Sequence, residues 1–235
     1  MQYLALLNGP RQPVSPPNTG PRALLEAYAT FGQKYAPFLL GGDALHPEAT
    51  TVRPSGDPLV VDGPYAETAE AVGGFYVLEA PNLDEAIEVA AAIPMAATGG
   101  VELRPIVVWQ DSTPAEPGPR PAGTSRYLAL IRGKESEADN PESPEWEPAA
   151  LQHRAFAAAA GADLWSGVAI HPAATATTVR SRDGEVLVTD GPYPEVSEVV
   201  GGAYMFGPVT PERAQELAAK IPADAVELKP IVEFG

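Results

Sequence analysis

The chain repeats one pattern twice along its length, and this duplication constrains its fold more than any other feature. Asp62-Gly63-Pro64-Tyr65 returns as Asp190-Gly191-Pro192-Tyr193, and a glycine pair follows each copy. Residues 3–7 return as 127–131, with small changes in spacing of the kind that loop insertions and deletions produce. The whole chain is therefore expected to be two copies of one unit of about 110 residues, close to the commonest domain size.

The two repeats are expected at residues 1–109 and 126–235, with a linker between them. Residues 110–125 are polar and rich in proline and glycine. A segment of this composition has little apolar surface to bury, so it is predicted to be semi-extended. Each repeat is long enough to form a core of its own.

In each repeat the hydrophobic pattern predicts the order β-α-β-β-α-β, with an extra hairpin at the second strand. Asn82 and Glu85 have the spacing of a capping box, and Thr210-Pro211 opens the matching helix of the second repeat. The order is typical of the ferredoxin-like fold, an antiparallel sheet with two helices on one face. In the first repeat the strands are expected at 2–7, 50–53, 59–61, 73–79 and 101–109, and the helices at 22–40 and 82–94.

The predicted strands carry apolar residues on both faces of the sheet, such as Leu4 beside Ala5 and Phe75 beside Tyr76. Helices on one side alone would leave the second apolar face uncovered. We therefore expect an α+β fold in which two ferredoxin-like units pack sheet to sheet. The result would be an intramolecular, pseudo-dimeric α+β barrel in which the first unit is the partner of the second.

Composition excludes several classes of site. The formal net charge of -16 disfavours binding to a nucleic-acid backbone, which needs basic residues. The chain has no cysteine and only 3 histidines, so neither a metal nor another cofactor is expected. No apolar run approaches the roughly 20 residues of a membrane helix. The start of the chain lacks the basic region of a signal peptide, so the expected location is the cytoplasm, without a membrane partner.

Several short motifs follow one another in each repeat. In the first they are Thr51-Val52-Arg53, Asp62-Gly63-Pro64-Tyr65, Gly73-Gly74-Phe75-Tyr76, Leu83-Asp84-Glu85-Ala86 and Val101-Glu102-Leu103-Arg104-Pro105-Ile106. As a set they resemble the YCII-related family, in its DGPF-domain branch, over nearly the whole chain. The resemblance implies the dimeric α+β barrel fold, built here from one duplicated chain. Tyr65 and Tyr193 stand where that branch usually has phenylalanine, and Ala69 and Ser197 stand where it commonly has lysine.

The resemblance implies two alternative functions. Most of the family has no established activity, but some relatives are enzymes that act on small, often aromatic molecules with a proposed His–Asp pair. This chain would then bind or transform a small aromatic or carboxylate molecule. Members of the branch are also found beside sigma-factor genes or fused to them. The alternative is therefore a non-catalytic regulatory or protein-interaction module linked to sigma-factor signalling, and enzymatic activity stays open.

Polar residues present in both repeats are the candidates for chemistry. A hairpin could bring His46 and Asp62 to the same end of the sheet, where the carboxylate would orient the imidazole as a general base. Arginine can hold an anionic group, and a tyrosine hydroxyl can donate to a developing oxyanion. The expected catalytic residues are therefore His46, Asp62, His171 and Asp190. The expected ligand-binding residues are Arg53, Tyr65, Glu67, Arg180, Tyr193 and Glu195.

Each candidate also has a structural interpretation. Asp62 would bond to the turn that it begins, Tyr65 would pack between the repeats, and Arg53 would pair with Glu67. A further alternative gives the site to one repeat, while the other only completes the barrel. His153 occurs only in the second repeat and is expected to be a packed or exposed helix residue rather than a ligand. Nucleophile elbows, phosphate loops and metal-ligand spacings do not occur in the sequence, and the sequence leaves further oligomerisation open.

Overall fold

The structure is a computed structural model that describes residues 1–10, 21–65, 70–114, 118–136, 139–193 and 199–233. These residues form an α+β fold with two compact units. The first compact unit comprises Met1–Pro47, Thr68–Ile106 and Ala173–Glu195. The second comprises Glu48–Glu67, Val107–Pro172 and Val196–Gly235. Each compact unit therefore contains most of one repeat together with the hairpin of the other repeat.

The first repeat supplies six strands and three helices to the described part of the chain. In chain order they are β1 (Gln2–Pro10), α1 (Pro21–Lys34), β2 (Leu39–Ala44), β3 (Thr50–Arg53), β4 (Leu59–Asp62), β5 (Glu70–Glu79), α2 (Leu83–Ala92), α3 (Met95–Thr98) and β6 (Gly100–Asp111). The hairpin of β3 and β4 lies in the second compact unit, and the end of β6 extends into that unit.

The second repeat follows the same order, but its described residues contain no counterpart of α3. Its elements are β7 (Ser125–Gly133), α4 (Trp146–Ala160), β8 (Leu164–Ile170), β9 (Thr177–Arg182), β10 (Glu185–Asp190), β11 (Val199–Val209), α5 (Pro211–Ala218) and β12 (Ala225–Pro230). Within the described ranges, none of the helices combines the length and the apolar character that crossing a membrane requires.

The sheet of the first compact unit has the antiparallel order β2-β5-β1-β6, which is the order of a ferredoxin-like fold. The hairpin of β9 and β10 continues this sheet, because Val179 of β9 lies opposite Val101 of β6. Tyr3, Phe31 and Leu78 are among the buried residues of the core that this unit contains.

The second compact unit repeats this arrangement with the order β8-β11-β7-β12. Here the hairpin of β3 and β4 extends the sheet, with Val52 opposite Val226 of β12. Phe156, Tyr204 and Leu217 are buried in its core, and Val52 of the added hairpin belongs to the same cluster. Each hairpin is therefore part of the sheet and part of the core of the unit that receives it.

The prediction of a helix from residue 22 to residue 40 was wrong at its end. The helix stops at Lys34, and Leu39–Ala44 form strand β2, which pairs with β5. The glycine pair Gly41-Gly42, which suggested a helix stop, lies inside this strand. Gly42 lies opposite Tyr76, whose ring occupies the place of a side chain, since a Cβ there would lie 2.3 Å from a ring carbon. The hairpin of β3 and β4 is therefore an insertion after the second ferredoxin-like strand.

The predicted helix starts were confirmed. The Asn82 side chain accepts a hydrogen bond of 2.9 Å from the Glu85 N–H and donates one of 3.3 Å to the Glu85 carboxylate. The Thr210 hydroxyl accepts a bond of 3.2 Å from the Arg213 N–H, with a proline at the first helical position. Both caps satisfy N–H groups that a helix cannot pair internally. Helices α2 and α5 therefore begin where the sequence predicted.

Candidate functional site

The turn of the duplicated motif is held by its glycine and by a threonine of the neighbouring strand. Gly63 and Gly191 have φ angles of 119° and 100°, a region that favours glycine. Each glycine N–H donates to an alanine carbonyl before the hairpin, at 2.9 and 2.8 Å. Each glycine carbonyl accepts from a threonine hydroxyl, Thr51 at 3.0 Å and Thr178 at 2.9 Å. The glycine of the motif is thus required by the geometry of the turn.

The arginine and the tyrosine of each hairpin contact each other. The Arg180 guanidinium lies 4.5 Å from the centre of the Tyr193 ring, and the Arg53 guanidinium lies 5.1 Å from the centre of the Tyr65 ring. Both distances are typical of a cation–π interaction. Two of the predicted ligand-binding residues are thus brought together in each hairpin. Two others, Glu67 and Glu195, lie outside the described residues.

Tyr193 joins the hairpin of the second repeat to the sheet of the first, within the first compact unit. Its N–H donates to Glu102 at 2.9 Å, and its hydroxyl donates to Glu70 at 2.7 Å. Its ring lies over Gly100, where a Cβ would approach a ring carbon to 2.5 Å. Burial, together with the Glu70 carboxylate, raises the pKa of Tyr193 to about 12, so the phenol remains a hydrogen-bond donor. These contacts agree with packing between the repeats.

The predicted catalytic residues of each repeat are divided between the two compact units. His46 is exposed in the first unit, and Asp62 is exposed at the end of β4 in the second. His171 is half-buried in the second unit, and Asp190 is exposed at the end of β10 in the first. Their pairing stays a prediction. In the part of the chain that the structure describes, histidine and carboxylate side chains do not form a group of three that could hold a metal.

A pocket of about 440 Å³ lies between helix α4 and the sheet of the second compact unit. Ala149, Ala150, His153 and Ala157 lie on its helix wall, and Tyr204 lines the sheet side. The three alanines recur at helical spacing and are too small to fill the space between helix and sheet. The volume lies within the range of pockets that bind small molecules.

Comparison of the two repeats explains why this pocket is open. Ala149, His153 and Ala223 line it, and the first repeat has Leu24, Tyr28 and Met95 at the matching positions. Tyr28 and Met95 pack against the core of the first compact unit. The second repeat thus has smaller side chains where the first fills the same space. The first compact unit has a separate groove of about 480 Å³ along α1, whose lining contains neither an imidazole nor a carboxylate.

His153 and Tyr204 form a hydrogen bond on the wall of this pocket. The distance from His153 Nδ1 to the Tyr204 hydroxyl oxygen is 3.0 Å. Burial lowers the pKa of His153, while the Asp139 carboxylate acts in the opposite direction, and burial raises the pKa of Tyr204 to about 12. Both groups are therefore neutral near pH 7. A neutral imidazole both accepts and donates a proton, which suits it to general acid–base chemistry.

Neighbouring residues fix the Tyr204 ring. Gly167 lies opposite Tyr204 on β8, and a Cβ there would lie 2.8 Å from a carbon of the ring. On the other side, the Phe156 ring lies 5.0 Å from it, centre to centre. The phenol is thus held by a glycine and an aromatic ring, and the helix that supplies Phe156 also supplies His153. The two groups are preorganised by packing.

Charged side chains also line the pocket. Arg132, Lys134 and Arg154 are the cations, and Asp139 and Asp224 are the anions. The Asp139 carboxylate accepts a hydrogen bond of 2.7 Å from the Ser136 N–H.

From the sequence pattern, His153 was expected to be a packed or exposed helix residue, and neither Tyr204 nor Arg132 was a candidate. The signal that could have found them is the difference between the repeats. A histidine replaces Tyr28, and alanines replace Leu24 and Met95. The polar residues that both repeats share indicated instead a site at the hairpin turns. The constraints of the fold preserve turn residues as well as site residues, so sharing does not distinguish the two.

Comparisons with known proteins agree with the duplicated architecture. The family model described as "YCII-related domain" matches residues 23–110 and again residues 126–234. The chain belongs to the YCII-related family. It is 42% identical over 65 residues to an uncharacterised protein of Rhizobium meliloti (strain 1021), which covers 26% of this chain and 52% of that protein. The chain thus spans about half the length of this curated relative. Family membership leaves the activity open, so the candidate site rests on geometry.

Proposed function

We propose that this YCII-related protein binds a small molecule in the pocket of its second compact unit, where His153 and Tyr204 exchange a proton with it. The observation that carries this proposal is a hydrogen-bonded imidazole and phenol on the wall of a pocket of about 440 Å³. A concave pocket with a few polar groups and a histidine of shifted pKa is the usual arrangement of a small-molecule site.

The neutral state of His153 supports the chemical part of the proposal. A histidine whose pKa is lowered by burial is unprotonated near pH 7 and can accept a proton from a bound molecule. Tyr204 then keeps a hydrogen bond to the ring, which limits its rotation. The pair would serve an isomerisation in which His153 accepts a proton from one carbon of the substrate and returns it to another carbon.

In this proposal the first repeat has a structural role. Tyr28 and Met95 pack against the core at its counterpart of the pocket, and its hairpin completes the core of the second compact unit through Val52. The repeats, proposed at 1–109 and 126–235 with a linker at 110–125, would thus divide the work after duplication. His153 and Tyr204 lie in the second repeat, and the first repeat stabilises the unit that contains them.

The barrel and the cellular location belong to this proposal as well. The family resemblance implies that the two sheets pack face to face. Such packing would cover the apolar face of each sheet that points away from its helices, and Leu4, Leu6, Leu128 and Leu130 are buried on these faces. The cytoplasm is the location that the proposal assumes.

A thermal-shift screen of the full chain with small aromatic and carboxylic acids and their neutral analogues tests the proposal. A ligand at about 100 times its Kd raises the stability of the folded state by about 2.7 kcal/mol. The variant Ala149→Leu/Ala223→Met restores the bulk that the first repeat has, so compounds that stabilise the wild-type chain should no longer stabilise it. Ala155→Leu, at an exposed position of the same helix, is the matched control and should respond as the wild type does.

Ala149→Leu/Ala223→Met is called the filled variant. If compounds stabilise it as strongly as they stabilise the wild type, their binding site lies outside this pocket. The hairpin residues His46, Asp62, Arg53 and Tyr65, with their second-repeat counterparts, would then be the next candidates. If the screen finds no stabilising compound, the non-catalytic interaction module with a sigma-factor partner becomes the better hypothesis.

A further inference from the structure

We infer that the molecule bound in this pocket carries an anionic group and that Arg132 is the residue that recognises it. This inference rests on the proposed function, because it concerns the same pocket. It adds the chemical class of the ligand and a specificity residue outside the His153–Tyr204 pair. The ligand class is a small organic oxyacid, with a carboxylate or a phosphate as the recognised group.

The pocket has cations that the first repeat lacks. Arg132, Lys134 and Arg154 line it, and the matching positions of the first repeat are Asn8, Pro10 and Ala29. These three replacements occur in a chain with 31 acidic and only 15 basic residues. Among these charged groups, Arg154 is paired with Glu147, and Asp139 accepts a hydrogen bond from the Ser136 N–H. The change between the repeats therefore favours an anionic partner.

Arg132 is the best placed of the three cations, because a buried carboxylate holds it. Its Nε atom donates to a carboxylate oxygen of Glu227 at 2.9 Å, and its Nη2 atom lies 2.8 Å from the same oxygen in an ion pair. The Glu227 side chain is only 3% exposed, whereas the Arg132 side chain is 15% exposed and lines the pocket. A guanidinium carries five N–H donors, and the pair with Glu227 involves only Nε and Nη2. The Nη1 group therefore takes no part in this pair. A fixed arginine loses little side-chain freedom when it binds an oxyanion.

The fold of the repeat does not require a cation at this position. In the first repeat the matching glutamate, Glu102, accepts hydrogen bonds from Arg104 and from the N–H of Tyr193. The counterpart of Arg132 is Asn8, a neutral residue whose side chain donates to the Leu6 carbonyl. A buried glutamate in this strand can thus be satisfied without an arginine at the edge of the pocket. Recognition of a ligand accounts for the difference.

Binding of three probe molecules to the full chain tests the inference. The probes are benzoate, phenyl phosphate and benzamide, a neutral analogue of benzoate, with affinities measured by NMR titration near pH 7. At least one of the two anions should bind about tenfold or more tightly than benzamide, since hydrogen bonds between charged partners are the stronger ones. The preferred anion distinguishes a carboxylate site from a phosphate site.

The variant Arg132→Met/Glu227→Gln removes the ion pair without changing the net charge. It should lose the preference for the anion, while its affinity for benzamide stays within about twofold of the wild-type value. Arg120→Gln/Glu233→Gln neutralises an exposed pair of 3.1 Å outside the pocket lining and should keep the preference. Arg132→Lys keeps the charge but loses the planar fork, so it should retain only part of the preference and is the variant to use if the double variant does not fold.

Two results would contradict the recognition of an anionic group by Arg132 without contradicting the pocket as the binding site. One is benzamide binding as tightly as both anions, and the other is an anion preference that survives loss of the ion pair. Failure of all three probes, in a protein whose pocket binds neutral compounds from the screen, would also overturn it. If the filled variant Ala149→Leu/Ala223→Met binds the anions normally, the proposed function itself fails.

Discussion

The proposed small-molecule site depends more on His153 than on any other residue. Tyr28 occupies the equivalent position of the first repeat, and the pKa of that phenol is raised chiefly by burial. Replacement of a bulky phenol by a smaller titratable ring opens space and adds a group that exchanges protons near neutral pH. The polar residues of the duplicated hairpins differ from His153, which lines a pocket. Tyr193 and Arg180 contact each other, and Tyr193 also bonds to Glu70.

The lowered pKa of His153 predicts a pH dependence of stability with a definite sign. The unfolded imidazole binds a proton near pH 6.5, whereas the folded one resists protonation until a lower pH. The unfolded chain therefore holds more protons in this window, and the free energy of unfolding falls as the pH falls through 6.5. His153→Gln should lose less stability between about pH 7 and 5 than the wild type does in urea unfolding.

Ala155→Leu, at an exposed position of the same helix, provides the control for this measurement. It should keep the pH dependence of the wild type, because it removes no titratable group. Equal slopes for the wild type and His153→Gln would contradict the burial of a neutral imidazole.

At the scale of helices and strands, local sequence patterns predicted where helices start and where the chain turns better than they predicted which strands pair. The cap of Asn82 and the glycine turn at Gly63 follow from residues close in sequence. Strand β2 was not predicted, because Gly41 and Gly42 interrupt the alternation that marks a strand. The pairing of β9 with β6 was not predicted either, since many residues separate the two strands and their patterns do not specify a partner.

The hairpin of the second repeat packs on β6, so Gly100→Ala should strongly lower the stability of the fold. The new Cβ would lie 2.5 Å from the Tyr193 ring, so the hairpin would have to shift. Overpacking of this kind costs about 1–3 kcal/mol of stability, measured by urea unfolding. Gly41→Ala is the matched control in the same compact unit, because no atom lies within 4 Å of the place that its new Cβ would take. Equal stability of the two variants would refute the role of Tyr193 as a packing residue.

At the scale of the whole molecule, duplication explains both what could be predicted and what could not. The α+β class, the ferredoxin-like order and the family followed from residues that the repeats share. The candidate site depends on residues in which they differ, such as Ala149 against Leu24 and Arg132 against Asn8. A pattern shared by both repeats indicates the fold that both must keep. A volume opened by smaller side chains becomes visible only when helix and sheet are placed together, as in the pocket beside α4.

NMR can test directly whether the site lies at His153 in the second compact unit, because the chain has only 3 histidines. Their imidazole signals can be assigned with His46→Gln, His153→Gln and His171→Gln and then followed during titration with the most stabilising compound of the thermal-shift screen. We expect the His153 signals to shift, those of His46 and His171 to stay in place, and Ala149→Leu/Ala223→Met to abolish the shift. A shift of the His46 or His171 signals with His153 unchanged would contradict this expectation and would place the site at the Asp-Gly-Pro-Tyr hairpins.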